Sequence, residues 1–350
     1  MSYLKSTFRH PESPKNDLGY TQAVYEGALS TLCAGCGHDS VSNSIIQACF
    51  ELSLEPHRIA KMSGIGCSSK TPAYFLKSSH GFNSVHGRMP SVATGANLGN
   101  RDLTYIGISG DGDTASIGMG QFMHLVRRNL NMVYICMNNG VYGLTKGQDS
   151  ATADVGSASK KGVPNMYEPM DLCELAISLG SGYVARSFSG DKNQLVPLIQ
   201  GAIRHNGFAL IDCVSPCVTF NNTARSTKGY EWVRDHKEAT GTVDLVPAET
   251  EIIVKEPNQI LESISLHDGS VLNIRRLPNS LDIQSRESVL KSLEDARQKQ
   301  QVLTGLLYLN THSRNTHELI NTTDRPLNGL DKSDLCPGSD ILEAINQSLR

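Results

Sequence analysis

The sequence has no apolar run of the about 18–20 residues needed to cross a bilayer. Its opening stretch, MSYLKSTFRHPESPKNDLG, has no apolar signal core and reads as a disordered or draped arm. Neither sign of charge dominates: the formal net charge is −3, which argues against a general nucleic-acid binder. Internal repeats and low-complexity stretches are missing. So are the common phosphate cradles, with no G-x-x-x-x-G-K-[ST] and no G-x-G-x-x-G after a strand. A second C-x-x-C, which a paired zinc ribbon would need, is also missing. What remains is a soluble, globular chain expected in the cytoplasm. Its 350 residues suit one large α/β domain with an appendage, or two modest domains.

What is present alternates. The runs at 58–63, 104–109, 132–137 and 208–217 are short and apolar, as buried parallel strands are. Helical spacing separates them at 40–52, 90–100, 117–129, 172–180 and 191–206. Such alternation predicts a parallel sheet covered by helices on both faces, with FALIDCVSPC (208–217) as the last core strand. In these sheets ligands sit beyond the carboxyl ends of the strands. GIGCS (64–68), GDGD (110–113) and NNGVYG (138–143) all fall at such ends, so three loops point at one rim. From about 240 the character changes to short extended segments and a polar helix, SRESVLKSLEDARQKQQ, read as a wrapping extension.

Gly110-Asp111-Gly112-Asp113, 24 residues, then Asn138-Asn139 is the fingerprint of a thiamine diphosphate site. Mg²⁺ on a diphosphate needs six oxygens in near-octahedral order. Two can come from the phosphates and one from water. The protein then supplies three: the Asp111 carboxylate, the Asn139 side-chain oxygen and a main-chain carbonyl, most naturally that of Val141. Glycines let backbone N–H groups approach phosphate, and the following helix presents its positive end. Gly112 and Asp113 start that helix, and Gly143 and Leu144 form the other wall.

Nine cysteines, an odd number over a long reduced chain, do not suggest a disulfide framework. Cys33-Ala34-Gly35-Cys36 is a C-x-x-C in a glycine-rich loop, which alone can mean a redox pair, zinc or iron–sulfur. With Cys67 in GIGCS and a cysteine from SPC, the dispersed set suits a [4Fe–4S] cube. Cys217 follows a proline turn and is preferred as the fourth ligand over Cys213, inside the strand, and Cys336, in the tail. Cys49, Cys136 and Cys173 lie in apolar patterns and read as core.

The stretches TLCAGCGH, GIGCSSK, HGR, GDGD and NNGVYGLTKGQ together resemble the β subunit of 2-oxoacid:ferredoxin oxidoreductases, over most of residues 25–235. LHDGS, TGLLYLN and LCPG resemble that family's C-terminal extension less specifically. The resemblance implies a thiamine diphosphate- and [4Fe–4S]-binding domain over 25–239, between an arm at 1–24 and the extension at 240–350. It implies a cluster on Cys33, Cys36, Cys67 and Cys217, and Mg²⁺ on Asp111, Asn139 and Val141. It implies a thiamine site of Ile65, Gly66, Cys67, Ser68, His86, Gly112, Asp113, Gly143 and Leu144. Lys70 would lie near the substrate carboxylate and Lys146 on a mobile loop, and His86 would contact phosphate or move protons.

The implied reaction converts a 2-oxoacid, 2-oxoglutarate before pyruvate or another oxoacid, with coenzyme A into acyl-CoA and CO₂. Electrons leave one at a time through the cluster to ferredoxin, and the reaction is reversible. The carboxylate that activates the aminopyrimidine belongs to a second, pyrimidine-binding domain, which this sequence does not show. An α subunit must therefore complete the site, in an (αβ)₂ assembly. Two other classes stay open: an iron–sulfur carrier or scaffold in which GDGD is only a turn, and a cluster-free thiamine decarboxylase or synthase.

Overall fold

The computed structural model describes residues 10–158, 162–246, 260–276, 281–336 and 338–350. Its strands are β1 (Ile59–Ser63), β2 (His80–Asn83), β3 (Thr104–Gly110), β4 (Met132–Asn138), β5 (Val141–Tyr142), β6 (Gln148–Asp149), β7 (Tyr183–Phe188), β8 (Phe208–Val214), β9 (Lys237–Ala239), β10 (Thr242–Val246), β11 (Ile260–Ser265), β12 (Val271–Arg276) and β13 (Val302–Leu309). The helices are α1 (Gly37–Glu51), α2 (Met89–Gly99), α3 (Met119–Arg128), α4 (Leu172–Ser178), α5 (Lys192–Arg204), α6 (Tyr230–His236), α7 (Arg286–Gln298), α8 (Thr316–Ile320), α9 (Lys332–Leu335) and α10 (Ser339–Ser348).

The main sheet runs β2-β1-β3-β4-β8-β7-β13-β9. Its first six members are mutually parallel. β1, β4, β7 and β8 are buried along their whole length, which is why their sequences read as continuous apolar runs rather than alternating ones. α1 and α5 cover one face through Val41, Ile45, Leu195 and Ile199. α2, α3, α4 and α7 cover the other through Ala93, Phe122, Leu172 and Leu293. Cys49, Cys136 and Cys173 are fully buried in these layers, as their apolar surroundings predict.

The sheet does not end at β8. β13, from the region expected to wrap, pairs antiparallel with β7 and carries β9 beyond it. Its eight-residue apolar run follows a polar helix, so βα alternation gives no sign of a strand returning in the opposite sense. β10, β12 and β11 form a separate antiparallel sheet beside α5. The extended segment expected at EIIVKEPNQI lies outside the described residues except for Ile260. The helix expected over 117–129 is α3, and a π-helical turn at Gly112–Ile117 precedes it. They part at Gly118, where a Cβ would press on the backbone of Gly87 and Asp113. In the N-terminal arm, Asn16 Nδ2 donates to the Tyr25 hydroxyl (2.7 Å) and the Phe50 carbonyl (3.1 Å), which holds the described part against the end of α1.

A buried ionic cluster locks the middle of the sheet. Arg186 on β7 stands in register with Asp212 on β8. Its guanidinium meets Asp171 at 2.6 Å and Asp212 at 3.2 Å. Asp171 also caps α4, accepting from the N–H groups of Cys173 and Glu174. Burial pushes the Asp171 carboxyl up, but Arg186 and the cap bonds outweigh it and hold the pKa below the usual value. A depressed carboxylate contributes stability that is full above its unfolded value and lost as pH falls through the folded one. Arg186→Met should therefore cost about 3–5 kcal/mol near neutrality, because two buried carboxylates lose their counter-ion. Chemical denaturation is expected to show this, with the gap to wild type narrowing on acidification; an unchanged midpoint would refute the counter-ion role.

Candidate active site

Four adjacent strands, β1, β3, β4 and β8, deliver their carboxyl ends to one rim. Between their loops lies a cleft of about 530 Å³. Every expected thiamine-site residue lines it: Ile65, Gly66, Cys67, Ser68, His86, Gly112, Asp113, Gly143 and Leu144. So do the three expected magnesium donors, Asp111, Asn139 and Val141.

Asp111 is the polar centre of the cleft, and it is buried. Its Oδ2 accepts from the hydroxyls of Thr152 (2.7 Å) and Ser150, and its Oδ1 accepts from the Asn139 N–H (3.3 Å). Asn139 Oδ1 in turn accepts from the Val141 N–H at 3.1 Å, so the three residues form a connected set. Burial raises the Asp111 pKa, and the hydroxyl and N–H donors pull it back only in part. A buried carboxylate of this kind, beside an amide oxygen and a turn of backbone, can take a hard divalent cation with oxygen ligands.

Asp113 is a hub between loops. It accepts from the Gly87 N–H (2.8 Å) and the Ser109 hydroxyl (2.9 Å). Gly64 must be glycine, since a Cβ there would lie 1.9 Å from Asp113 Oδ2. Gly112 lies under the Tyr142 ring, which a Cβ would enter at 2.5 Å, and Tyr142 Oη donates to the Gly112 carbonyl at 3.1 Å. Gly112 begins the π-helical turn that runs to Ile117. Such turns, in which N–H groups bond five residues back, are common at functional sites.

Cys67 lines the cleft and also belongs to the cysteine group. A Cβ built on Gly143 would lie 3.6 Å from Cys67 Sγ and 3.8 Å from Cys217 Sγ, so both sulfurs flank one point. Cys33 Sγ sits 3.6 Å from the Thr219 hydroxyl in the Cys217 loop. Cys36 precedes α1, and burial pushes its thiol up to about 12; the His38 N–H opposes this, and Cys217 and Cys67 add to it. Burial also raises the Cys67 thiol, with Cys217 adding and Lys70 opposing. Among the described residues no three His, Cys, Asp or Glu side chains converge closely enough to hold a single metal ion. A four-iron cube spreads its thiolates more widely than one ion does, and it compensates the thiolate charge that burial disfavours. Cys213 is fully buried within β8, whereas Cys217 is partly exposed and lies in the group.

Two expected residues stand apart. Lys70 and Lys146 are exposed and do not line the cleft. Lys146 lies in the tight turn between β5 and β6 with φ +81°, a left-handed conformation unusual for lysine. Leu144 and Thr145 line the cleft immediately before it.

Sequence reasoning missed four contributors. Ser150 and Thr152 belong to no motif. Tyr142 sits inside NNGVYG without being singled out. His38 lines the cleft, is buried, and contacts the Ser215 hydroxyl at 2.6 Å; burial lowers its pKa to about 4, so it is neutral near pH 7. The C-x-x-C-G-H pattern was the available signal for His38. The Thr152 bond yields a test. Thr152→Val removes one hydrogen bond to a buried charge and should weaken Mg²⁺-dependent thiamine diphosphate binding about tenfold or more. Equilibrium titration followed by fluorescence is expected to show this; wild-type affinity would refute the Thr152 role.

Residues 64–213 match the family described as thiamine pyrophosphate enzyme, C-terminal TPP binding domain. The chain is 41% identical over 243 residues to the 2-oxoacid:ferredoxin oxidoreductase subunit beta of a Sulfolobus species, covering 69% of this chain and 77% of that one. It is 40% identical over 189 residues to the 2-oxoglutarate synthase subunit KorB of Methanocaldococcus jannaschii, covering 54% and 69%. A solved 2-oxoglutarate:ferredoxin oxidoreductase from Magnetococcus marinus, with 2-oxoglutarate, coenzyme A and succinyl-CoA bound, superposes with TM-score 0.69 at 29% identity over 90% of this chain and 94% of that one. With a thiamine-binding domain at its centre and a relative this similar matched over most of its length, the chain belongs to the β subunits of the 2-oxoacid:ferredoxin oxidoreductases.

Proposed function

We propose that this β subunit, with an α subunit in an (αβ)₂ assembly, oxidises 2-oxoglutarate with coenzyme A to succinyl-CoA and CO₂, passing electrons to ferredoxin. The observation that carries the proposal is Cys67, which lines the thiamine cleft while its sulfur stands beside that of Cys217. The preference for 2-oxoglutarate rests on the Magnetococcus marinus enzyme, which matches this chain almost end to end. The cofactor-bearing region is 25–239, with 1–24 as an arm and 240–350 as an extension.

When bound, thiamine diphosphate and Mg²⁺ supply a carbon nucleophile and electron sink, and a [4Fe–4S] cluster supplies a one-electron store. The chain's own residues do the rest. Asp111, Asn139 and the Val141 carbonyl offer three oxygens to the cation. Ile65, Gly66, Ser68, Gly112, Asp113, Gly143 and Leu144 shape the wall around the cofactor. His86 lines the cleft and is exposed, so it can reach phosphate or exchange protons with water. Lys70 and Lys146, outside the lining, give the rim positive charge for a dianionic oxoacid, with Lys146 carried on the β5–β6 turn. Cys33, Cys36, Cys67 and Cys217 hold the cluster. Cys67 would serve both groups, so the cluster and the thiamine would share one loop of this chain.

Three measurements test this on the complex with its α partner. Viologen reduction over a panel of 2-oxoacids should be fastest with 2-oxoglutarate and depend on coenzyme A; a preference for pyruvate would overturn the substrate assignment. Asp111→Ala should abolish Mg²⁺-dependent turnover and keep the brown iron–sulfur absorbance, and full activity would reject the cation site. Cys217→Ser should lose that absorbance while Cys213→Ser keeps it; the reverse result would move the fourth ligand into β8.

A further inference from the structure

We infer that Tyr230 is a positioning residue for the iron–sulfur centre, fastening the C-x-x-C loop to the loop that carries Cys217. This rests on the cluster assignment proposed above. The two loops come from opposite ends of the domain and meet beside the cysteines, where the Gly37 N–H donates to the Pro216 carbonyl at 3.3 Å and His38 contacts the Ser215 hydroxyl at 2.6 Å. A Cβ on Gly35 would lie 3.7 Å from Val218 Cγ1, and the Thr219 hydroxyl sits 3.6 Å from Cys33 Sγ. Tyr230 adds a further link, on the other side of Cys36 and of Cys217 in sequence. Its hydroxyl donates to the Gly35 carbonyl at 3.0 Å, in the middle of C-x-x-C. Its backbone N–H donates to Asn222 Oδ1 at 2.9 Å, five residues past Cys217. One residue at the start of α6 therefore holds both halves of the thiolate set.

The rest of Tyr230 is anchored independently of that hydroxyl. Its ring meets Phe188 edge-on at 5.7 Å, and the Arg234 guanidinium lies 5.6 Å from its centroid. Tyr230 packs against the small core of Phe188, Val214 and Val233, so removing only the oxygen leaves the helix seated. Burial raises the phenol pKa, which keeps the proton available to donate. Gly35 has φ +80° in a turn closed by the Cys36 N–H donating to the Cys33 carbonyl at 3.0 Å, and Tyr230 bonds the carbonyl of that turn glycine. Cys33 is exposed, whereas Cys36, Cys67 and Cys217 are only partly so. A tether here limits how far the loop can open, and with it the access of water and chelators to the cluster.

The test uses the αβ complex purified anaerobically. Tyr230→Phe should carry the wild-type iron and sulfide content and melt at the wild-type temperature. It should lose its visible absorbance to a ferrous chelator about three- to tenfold faster, the range expected for one lost hydrogen bond. Tyr230→Ala, which also opens the ring's place to water, should in addition shift the cluster's midpoint potential upward in an EPR-monitored titration, because solvent stabilises the more negative reduced form. Mg²⁺-dependent thiamine diphosphate binding should be unchanged in both. A wild-type complex without iron and sulfide would overturn this inference together with the cluster assignment. A wild-type complex with a cluster, and a Tyr230→Phe variant that bleaches at the same rate with the same EPR spectrum, would overturn the positioning role alone. If Tyr230→Ala does not fold, Tyr230→Phe still decides the question.

Discussion

A carboxylate sealed inside a protein must be met by dipoles, by a cation, or by a proton, and the arrangement around Asp111 follows from that requirement. Two hydroxyls and one N–H meet it in part. They come from β4's outgoing loop and from residues 150–152, so satisfying one side chain fixes the relative position of two loops. The Thr152 hydroxyl also lies 2.9 Å from Asn138 Oδ1, the Asn138 amide reaches Asp212, and Asp212 is held by Arg186. The polar wall of the cleft is therefore continuous with the ionic cluster that locks the sheet, and the site inherits the rigidity of the core rather than the freedom of surface loops.

The same economy governs the second group. Gly143 stands between Cys67 and Cys217 and also lines the cleft. Asn221 extends from the Cys217 loop to donate to the Asn139 carbonyl at 2.8 Å. Cation loop, sulfur loop and cofactor wall are thus bonded to one another.

The parts of this arrangement that were legible in the sequence are those where chemistry demands a particular backbone. Glycines at strand ends mark loops that must approach an anion or a neighbouring side chain, and Gly64 and Gly112 show the reason in full: a Cβ at either would overlap Asp113 or Tyr142. Buried parallel strands announce themselves as unbroken apolar runs. The illegible parts are supporting contacts with no sequence grammar. Ser150 and Thr152 are ordinary loop hydroxyls until folding places Asp111 beside them. The π-helical turn at Gly112 carries no sequence signature that separates it from an ordinary helix start. Lys70 and Lys146, expected at the rim from the chemistry a substrate needs, are exposed and lie outside the cleft lining.

β13 has a consequence for how the molecule is made. It fills a slot between β7 and β9, more than a hundred residues after β7 in sequence. Until Val302–Leu309 leaves the ribosome, β7 is an open strand edge on an otherwise finished half-sheet, with its N–H and C=O groups free to pair with any passing strand. The cofactor loops belong to β1, β3, β4 and β8, away from that edge, so they can settle early while the last strand closes late. The slow, long-range step of folding is thereby kept at a distance from the residues that do the chemistry.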